Sequence, residues 1–178
     1  KGVRIIYQPG QQQSEFILGG IESLKEAVAR NRKNYTTRVV CFAELTVDET
    51  IRRRTTFPVG AQIYYIQRVR YIEGEALIID HNYFLRDIVR DLTPEIAEHS
   101  IYEYMEKNLG ESIVTTKRKM TVERVNQIDE TYLDLKDYNC MAVVSSMTYN
   151  KDGVMFEFTQ SRHRPDRFVF YDLAHRAK

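Results

Sequence analysis

The chain has 178 residues, of which 43% are hydrophobic and 29% charged, an ordinary composition for one globular domain with its own core. Its 26 basic and 25 acidic residues give a formal net charge of +1 at pH 7, whereas a free-standing DNA-binding domain usually carries a clear basic excess. No apolar run approaches the roughly 18 residues of a membrane span, and no signal-peptide pattern opens the chain. The two cysteines, Cys41 and Cys140, lie in apolar runs, which favours buried thiols in a reducing cytoplasm over a disulfide. We therefore expect a cytoplasmic domain, and the lack of a long apolar run predicts no membrane contact.

The N-terminal segment is predicted to lie outside the main domain. Residues 3–7 have the pattern of a short strand, and residues 8–14 have the polar, Pro-Gly-containing composition of a linker. The chain also begins without a methionine, so we expect residues 1–15 to be the end of a preceding domain plus a linker. Residues 16–178 are then expected to form the main domain.

The main domain is predicted to contain hairpins with short helices between them. Gly19 and Gly20 precede a helical pattern over residues 21–32, in which Ser23 and Glu26 have capping-box spacing. The later elements are, in chain order, a strand over 37–45, a short helix over 48–54 capped by Asp48, strands over 61–72 and 75–84 around Glu73-Gly74, helices starting at Thr93 and Ser100, a strand over 112–125, a helix over 128–135, strands over 141–150 and 154–162 around a turn at 150–153, and a last strand over 166–173. This order predicts an α+β domain around a mostly antiparallel sheet.

Signatures of catalysis and metal binding are missing from the sequence. It contains no Walker loop, no Gly-x-Gly-x-x-Gly, no Gly-x-Ser-x-Gly and no His-Glu-x-x-His. The four histidines have no zinc-site spacing: His81, His99, His163 and His175. We therefore expect no catalytic residue, no metal and no cofactor. The arginines at 52–54 leave open a nucleic-acid contact, a partner contact or a solvated helix face.

Two features suggest an anion-binding site. Gly19-Gly20 leads into a predicted helix whose first turn holds Ser23, and helix N-termini with a hydroxyl group suit phosphate, although plain capping would give the same pattern. Strand alternation puts Arg68 and Arg70 on one face, where paired guanidinium groups could bind phosphate. The alternative for this pair is an exposed sheet face that is paired with carboxylates.

A third feature, a row of polar side chains over residues 157–163, suggests a surface for sugar hydroxyl groups. Alternation predicts that one face of this strand holds Glu157, Thr159, Ser161 and His163, with Phe156 and Phe158 facing the other way. Such ligands need hydrogen-bond donors and acceptors at fixed points, which this row would provide. A strand that simply faces water remains the alternative.

The chain resembles a known family, the effector-binding (UTRA) domain of bacterial GntR-type transcriptional regulators of the HutC subfamily. The resemblance covers the chain from Phe16 to its end and depends on three segments: Gln67–Arg70 before the Glu73-Gly74 hairpin, Ser100-Ile101-Tyr102, and Glu157 followed by Arg164-Pro165-Asp166-Arg167-Phe168. Within this family the chain most resembles the trehalose-repressor branch. The segments that carry this resemblance are Ser100–Tyr104 with Leu109-Gly110, Ser161–Arg164 with Asp166, and the tail Phe168-x-Phe170-x-Asp172.

The resemblance implies a chorismate lyase-like fold, a homodimer and a phosphorylated sugar as effector, which in that branch is trehalose 6-phosphate. Operator DNA would be bound only through an absent N-terminal winged-helix domain, whose last wing strand would lie near Val3. Family roles place the phosphate or the sugar against eight residues: Ser23, Leu24, Arg68, Arg70, Ser100, Tyr102, Glu157 and His163. Arg164 and Asp166 are expected to form a structural pair.

Two other functions remain open from the sequence. One is an enzyme acting on a phosphosugar or an aromatic acid, with Glu157 and His163 as its acid–base pair. The other is a dimerisation module whose pocket binds nothing.

Overall fold

A computed structural model describes residues 14–17 and 34–171 of the chain. Its strands are β1 Ser14–Ile17, β2 Tyr35–Thr46, β3 Gln62–Ile72, β4 Glu75–Leu85, β5 Ile113–Arg124, β6 Cys140–Asn150, β7 Met155–His163 and β8 Phe168–Tyr171. Its helices are α1 Glu49–Thr55, α2 Pro94–Ala97, α3 Ile101–Tyr104 and α4 Gln127–Tyr132, with a π turn at Met105–Leu109 after α3 and a 3-10 turn at Pro165–Arg167.

Six strands form one antiparallel sheet in the order β2-β3-β4-β7-β6-β5. A second, two-stranded sheet pairs β1 with β8 in parallel. The prediction of an α+β fold around a mostly antiparallel sheet is therefore confirmed. In the described part of the chain, no helix has the length and apolar character needed to cross a membrane.

Turn residues set the two central hairpins as the sequence predicts. Glu73 and Gly74 both have positive φ angles, 51° and 82°, which the tight turn between β3 and β4 requires. Between β6 and β7, the Asn150 side chain accepts hydrogen bonds from the backbone N–H groups of Asp152 and Val154, and Gly153 has a φ of 74°. These local bonds fix where each strand reverses.

Helices cover both faces of the large sheet. One face holds Ile66 and Phe84, which pack with Ala97, Ile101 and Met105 from the α2–α3 segment. The opposite face holds two separate apolar clusters, one beside α1 with Val47, Phe57 and Ile63, and one beside α4 with Val69, Ile79 and Leu133. Burial of these side chains is the main stabilising term of the fold.

Phe156 and Phe158 do not share a face, contrary to the prediction. Phe156 packs in the cluster under α2 and α3, whereas Phe158 packs in the cluster beside α1. The cause is a bulge, because the β6–β7 register shifts between Thr148 and Tyr149 and makes Phe156 an extra residue on β7.

Two predicted elements have different ends in the structure. The helix predicted over 128–135 ends at Tyr132, since Leu133 is extended with a ψ of 148°. The strand predicted over 166–173 begins only at Phe168, because the 3-10 turn precedes it. Ser14, predicted as the end of the linker, begins β1. The rest of that linker, the strand over 3–7 and the helix over 21–32 lie outside the described residues.

Candidate functional site

The two arginines predicted to bind an anion lie side by side and are buried. Arg68 is 6% exposed and Arg70 is 7% exposed, so the exposed face of the alternative is wrong, but the pairing with a carboxylate that it included is present, at Asp80. Both belong to β3 and share the face that α2 and α3 cover. A buried guanidinium needs hydrogen-bond acceptors, and each arginine obtains them from a different neighbour on β4.

Arg70 belongs to a network around Asp80. Its Nε donates to Asp80 Oδ2 at 2.8 Å, and its Nη1 donates to Thr37 Oγ1 at 2.6 Å. The Ser161 hydroxyl donates to the other carboxylate oxygen of Asp80 at 2.6 Å. Among the described residues, these bonds use two of the five N–H donors of Arg70.

Arg68 belongs to a second network that reaches Glu157. Its Nε donates to Asn82 Oδ1 at 2.7 Å, and the Asn82 amide donates to Thr159 Oγ1 at 2.7 Å. The Thr159 hydroxyl then donates to Glu157 Oε1 at 2.6 Å. Arg68 also lies 3.9 Å from Asp80 through Nη2, which brings the two networks together.

Helix α3 adds Tyr102 to this site. The Tyr102 hydroxyl donates to Glu157 Oε2 at 2.5 Å and lies 3.3 Å from Thr148 Oγ1. Ser100 is the N-cap of α3, and its Oγ accepts a hydrogen bond from the Glu103 N–H at 3.3 Å. Ser100 therefore sets where the helix begins, and through the helix it sets where Tyr102 meets the sheet.

Burial and charge shift several pKa values at the site. Burial and the neighbouring Arg70 lower the pKa of Arg68 to about 9, so the guanidinium stays protonated at neutral pH in surroundings that disfavour its charge. Burial alone would raise the pKa of Asp80, but the two guanidinium groups outweigh it and bring the pKa below its ordinary value. Burial, followed by the Glu157 carboxyl, raises the pKa of Tyr102 well above its ordinary value, so the phenol remains a donor.

His163 lies at the far end of β7 from Glu157. The two residues are six positions apart along the strand, which corresponds to about 20 Å. They therefore cannot act on one bond as the acid–base pair of the enzyme alternative. The His163 ring is buried, and its centroid lies 4.9 Å from that of Phe168 at the start of β8.

The burial of His163 makes the stability of the domain depend on pH. Burial lowers the pKa of His163 from 6.5 to about 4, against a smaller opposing effect of Asp80. Between these two values the unfolded chain binds a proton that the folded chain does not, so stability falls as the pH is lowered. We expect His163→Gln to lose less stability than the wild type between about pH 7.5 and pH 5, by about 2 kcal/mol in urea unfolding.

The exposed His99 provides the control for this experiment. His99→Gln should retain the wild-type pH dependence. An unchanged pH dependence in His163→Gln would show that His163 is protonated equally in both states.

Ser23 and Leu24, the predicted phosphate contacts at the helix start, lie outside the described residues. The described part of the chain contains no group of three or more His, Cys, Asp or Glu side chains that could hold a metal ion. Arg164 and Asp166 form the expected structural pair, with Nε and Oδ1 2.7 Å apart, and Arg164 also bonds Glu75.

Asp80 and Asn82 are the site residues that the sequence analysis missed. Both are buried on the central strand β4, at positions that share a face with the arginines. The available signal was a run of three polar residues, Asp80-His81-Asn82, inside an otherwise apolar strand. Such a run in a central strand is costly unless its members are hydrogen-bonded, which indicates a polar network.

Comparisons with known proteins agree with this fold. A model of the UTRA domain matches residues 30–169. The chain is 36% identical over 168 residues to the HTH-type transcriptional regulator TreR of Bacillus subtilis (strain 168). This alignment covers 94% of this chain and 71% of TreR. It is 26% identical over 156 residues to GmuR of the same organism, covering 88% of this chain and 63% of GmuR, less than two thirds of that protein.

A solved structure is also similar over most of the chain. The effector-binding domain of the Bacillus subtilis trehalose repressor matches with a TM-score of 0.72 at 38% identity, covering 80% of this chain and 99% of that one. The prediction that the chain has the fold of a UTRA effector-binding domain is therefore confirmed.

Proposed function

This chain belongs to the UTRA domain family and is the effector-binding domain of a GntR-family transcriptional regulator related to TreR, and we propose that its effector is a phosphorylated sugar. The supporting observation is the buried pair Arg68 and Arg70 beside a row of hydroxyl and carboxyl groups on one sheet face. Guanidinium groups bind phosphate through forked hydrogen bonds, whereas hydroxyl and carboxyl groups suit sugar hydroxyls. Both halves of a phosphosugar would thus find partners of matching chemistry.

Within this class we propose trehalose 6-phosphate. The name of the related repressor points to trehalose, and the two buried arginines favour a phosphorylated form of it. The polar row from Glu157 to His163 extends over about 20 Å of strand, which favours a disaccharide over a single hexose. The phosphate would be bound by Arg68 and Arg70 with Ser23, the Leu24 backbone and Ser100, Tyr102 would line the pocket, and Glu157 and His163 would contact the sugar.

The regulatory role follows from the same proposal. The domain would form a cytoplasmic homodimer and would contact operator DNA only through a separate N-terminal winged-helix domain. The effector would then act by binding two arrangements of the dimer with different affinity, which is sufficient to change operator affinity without a catalytic step.

Calorimetric titration tests the proposal directly. We expect trehalose 6-phosphate to bind with a dissociation constant on the order of micromolar, and trehalose, glucose 6-phosphate and glucosamine 6-phosphate to bind at least about tenfold more weakly. The physical reason is that each of the three competitors lacks either the phosphate or the second sugar ring.

Each outcome of this titration has one interpretation. A preference for another phosphosugar would keep the sensor and reject trehalose 6-phosphate. Absence of binding by all four compounds would reject a phosphosugar effector and leave the module with an unused pocket as the better alternative.

A further inference from the structure

Asn82 has no exposed surface and connects two parts of the site. It accepts a hydrogen bond from Arg68 Nε and donates one to Thr159 Oγ1, both at 2.7 Å. We infer that Asn82 is a specificity-determining positioning residue that couples the phosphate-binding arginine to the sugar-binding carboxyl. This inference rests on the proposed phosphosugar function.

The hydrogen bonds through Asn82 all have the same direction. Arg68 donates to Asn82, Asn82 donates to Thr159, and Thr159 donates to Glu157. Tyr102 donates to the second oxygen of Glu157. Bonds in such a chain polarise one another, so each is strengthened by its neighbours, and the position of Glu157 depends on that of Arg68.

Among the described residues, the second arginine makes no hydrogen bond to this chain and is connected to Arg68 only through Asp80, whose Oδ2 lies 3.9 Å from Arg68 Nη2. Within residues 34–171, the hydrogen bonds of Arg70 lead to Thr37 and, through Asp80, to Ser161, but not to Glu157. The two arginines should therefore differ in function although they are adjacent. Arg70 would add affinity for any phosphate, whereas Arg68 and its chain would also align the sugar.

Asn82 can have this effect without touching a ligand. Its amide oxygen and its amide nitrogen are both engaged, and the side chain is fully buried. It fixes the distance between the group that would bind the phosphate and the group that would bind the sugar. A ligand with both moieties gains from two partners that are already aligned, whereas free phosphate gains nothing from that alignment.

The test compares trehalose 6-phosphate with inorganic phosphate, the latter measured by competition. We expect Asn82→Ala to reduce the ratio of the two affinities by roughly fivefold or more, because the loss of a bond to a charged group falls on the ligand that uses both halves. Arg70→Ala should weaken both ligands by similar factors and leave the ratio unchanged.

Two further variants separate this effect from a folding defect. Asn150→Ala removes another buried asparagine, 4% exposed and placed at the β6–β7 turn, and should keep the wild-type ratio even if it lowers the unfolding temperature. Thr159→Val keeps the size of the side chain but removes its hydrogen bonds to Asn82 and Glu157. This variant tests the inference if Asn82→Ala does not fold. It should reduce the ratio as Asn82→Ala does.

The outcomes distinguish this inference from its premise. If the wild type binds no phosphosugar, the proposed function fails, and the inference fails with it. If the wild type binds trehalose 6-phosphate selectively and both folded variants keep its affinity ratio, the function stands and the role of Asn82 is overturned.

Discussion

Arg68→Met is expected to weaken phosphosugar binding by about 100-fold or more while leaving the domain folded. Two hydrogen bonds from a guanidinium to a phosphate are worth about 3 kcal/mol together, which corresponds to that factor. The substitution also removes the donor that Asn82 accepts, so the alignment of the sugar-binding groups would be lost as well.

The domain should tolerate this change because the charge of Arg68 is unfavourable in the folded state. Burial lowers its pKa to about 9, which means that folding disfavours the protonated form of this side chain. Asp80 does not become an unpaired buried charge, because it keeps the hydrogen bonds from Arg70 and Ser161. Asn82 Oδ1 and the Ala97 carbonyl lose the donor that Arg68 gave them, which offsets this gain, so we expect Arg68→Met to fold with an unfolding temperature close to or modestly below that of the wild type.

Calorimetry and thermal unfolding of the same samples measure both effects. Arg68→Lys should bind with intermediate affinity, since it keeps a charge but loses the fork. Arg52→Ala, on the exposed side of α1, is the matched arginine control and should bind as the wild type does. Binding by Arg68→Met within threefold of the wild type would place the phosphate elsewhere.

The shared face of Arg68 and Arg70 could be predicted from sequence because strand alternation is a local property. The residue that lies opposite Arg68 on the neighbouring strand β4 could not be predicted in this way. A simple continuation of the Ile72–Glu75 pair through the hairpin would place Ile79 opposite Arg68. In the structure the register shifts between Arg70 and Tyr71, and Asp80 lies there instead.

The bulge that produces this shift has no strong local signal. Leu77 is the extra residue, an apolar side chain in an apolar run, and it is buried with Ile72 and Ile78. The second bulge, at Phe156, was missed for the same reason. Bulges depend on how neighbouring strands pack, so a single sequence shows the faces of a strand more reliably than its register.

Helix ends and turns show the opposite case. Asp48, Thr93 and Ser100 were predicted as caps or starts, and each accepts a hydrogen bond from a backbone N–H in the first turn of its helix. Capping involves residues three positions apart, which a sequence displays directly. The helix before Leu133 was predicted too long because Leu133 continues the apolar pattern while its backbone is already extended.

The site thus depends on strand alternation, which is local in sequence, and on one β-bulge in β4, which is not. Alternation supplies two arginines on β3 and a polar row on β7, and the bulge turns Asp80 and Asn82 towards both. Because β4 lies between β3 and β7, it is the strand through which the two halves communicate.

Breaking the buried pair of Asp129 and Arg162, on the opposite side of the sheet, is expected to destabilise the domain strongly. Asp129 has no exposed surface and accepts hydrogen bonds from Arg162 Nε and Nη2, as well as from the Asn126 N–H. Asp129→Ala should lower the free energy of unfolding by about 3–5 kcal/mol, because it leaves Arg162 buried with an incompletely compensated charge.

Urea unfolding of three variants can establish that burial is the cause. Glu123 bonds the same arginine at 2.6 Å, but its side chain is 41% exposed, so Glu123→Ala should cost at most about 1 kcal/mol. The double variant Asp129→Leu with Arg162→Met should be more stable than Asp129→Ala, since no charge is then left buried. Equal losses for Asp129→Ala and Glu123→Ala would contradict this explanation. Arg162 lies between Ser161 and His163, so Asp129 also holds the end of the strand that carries the proposed sugar contacts.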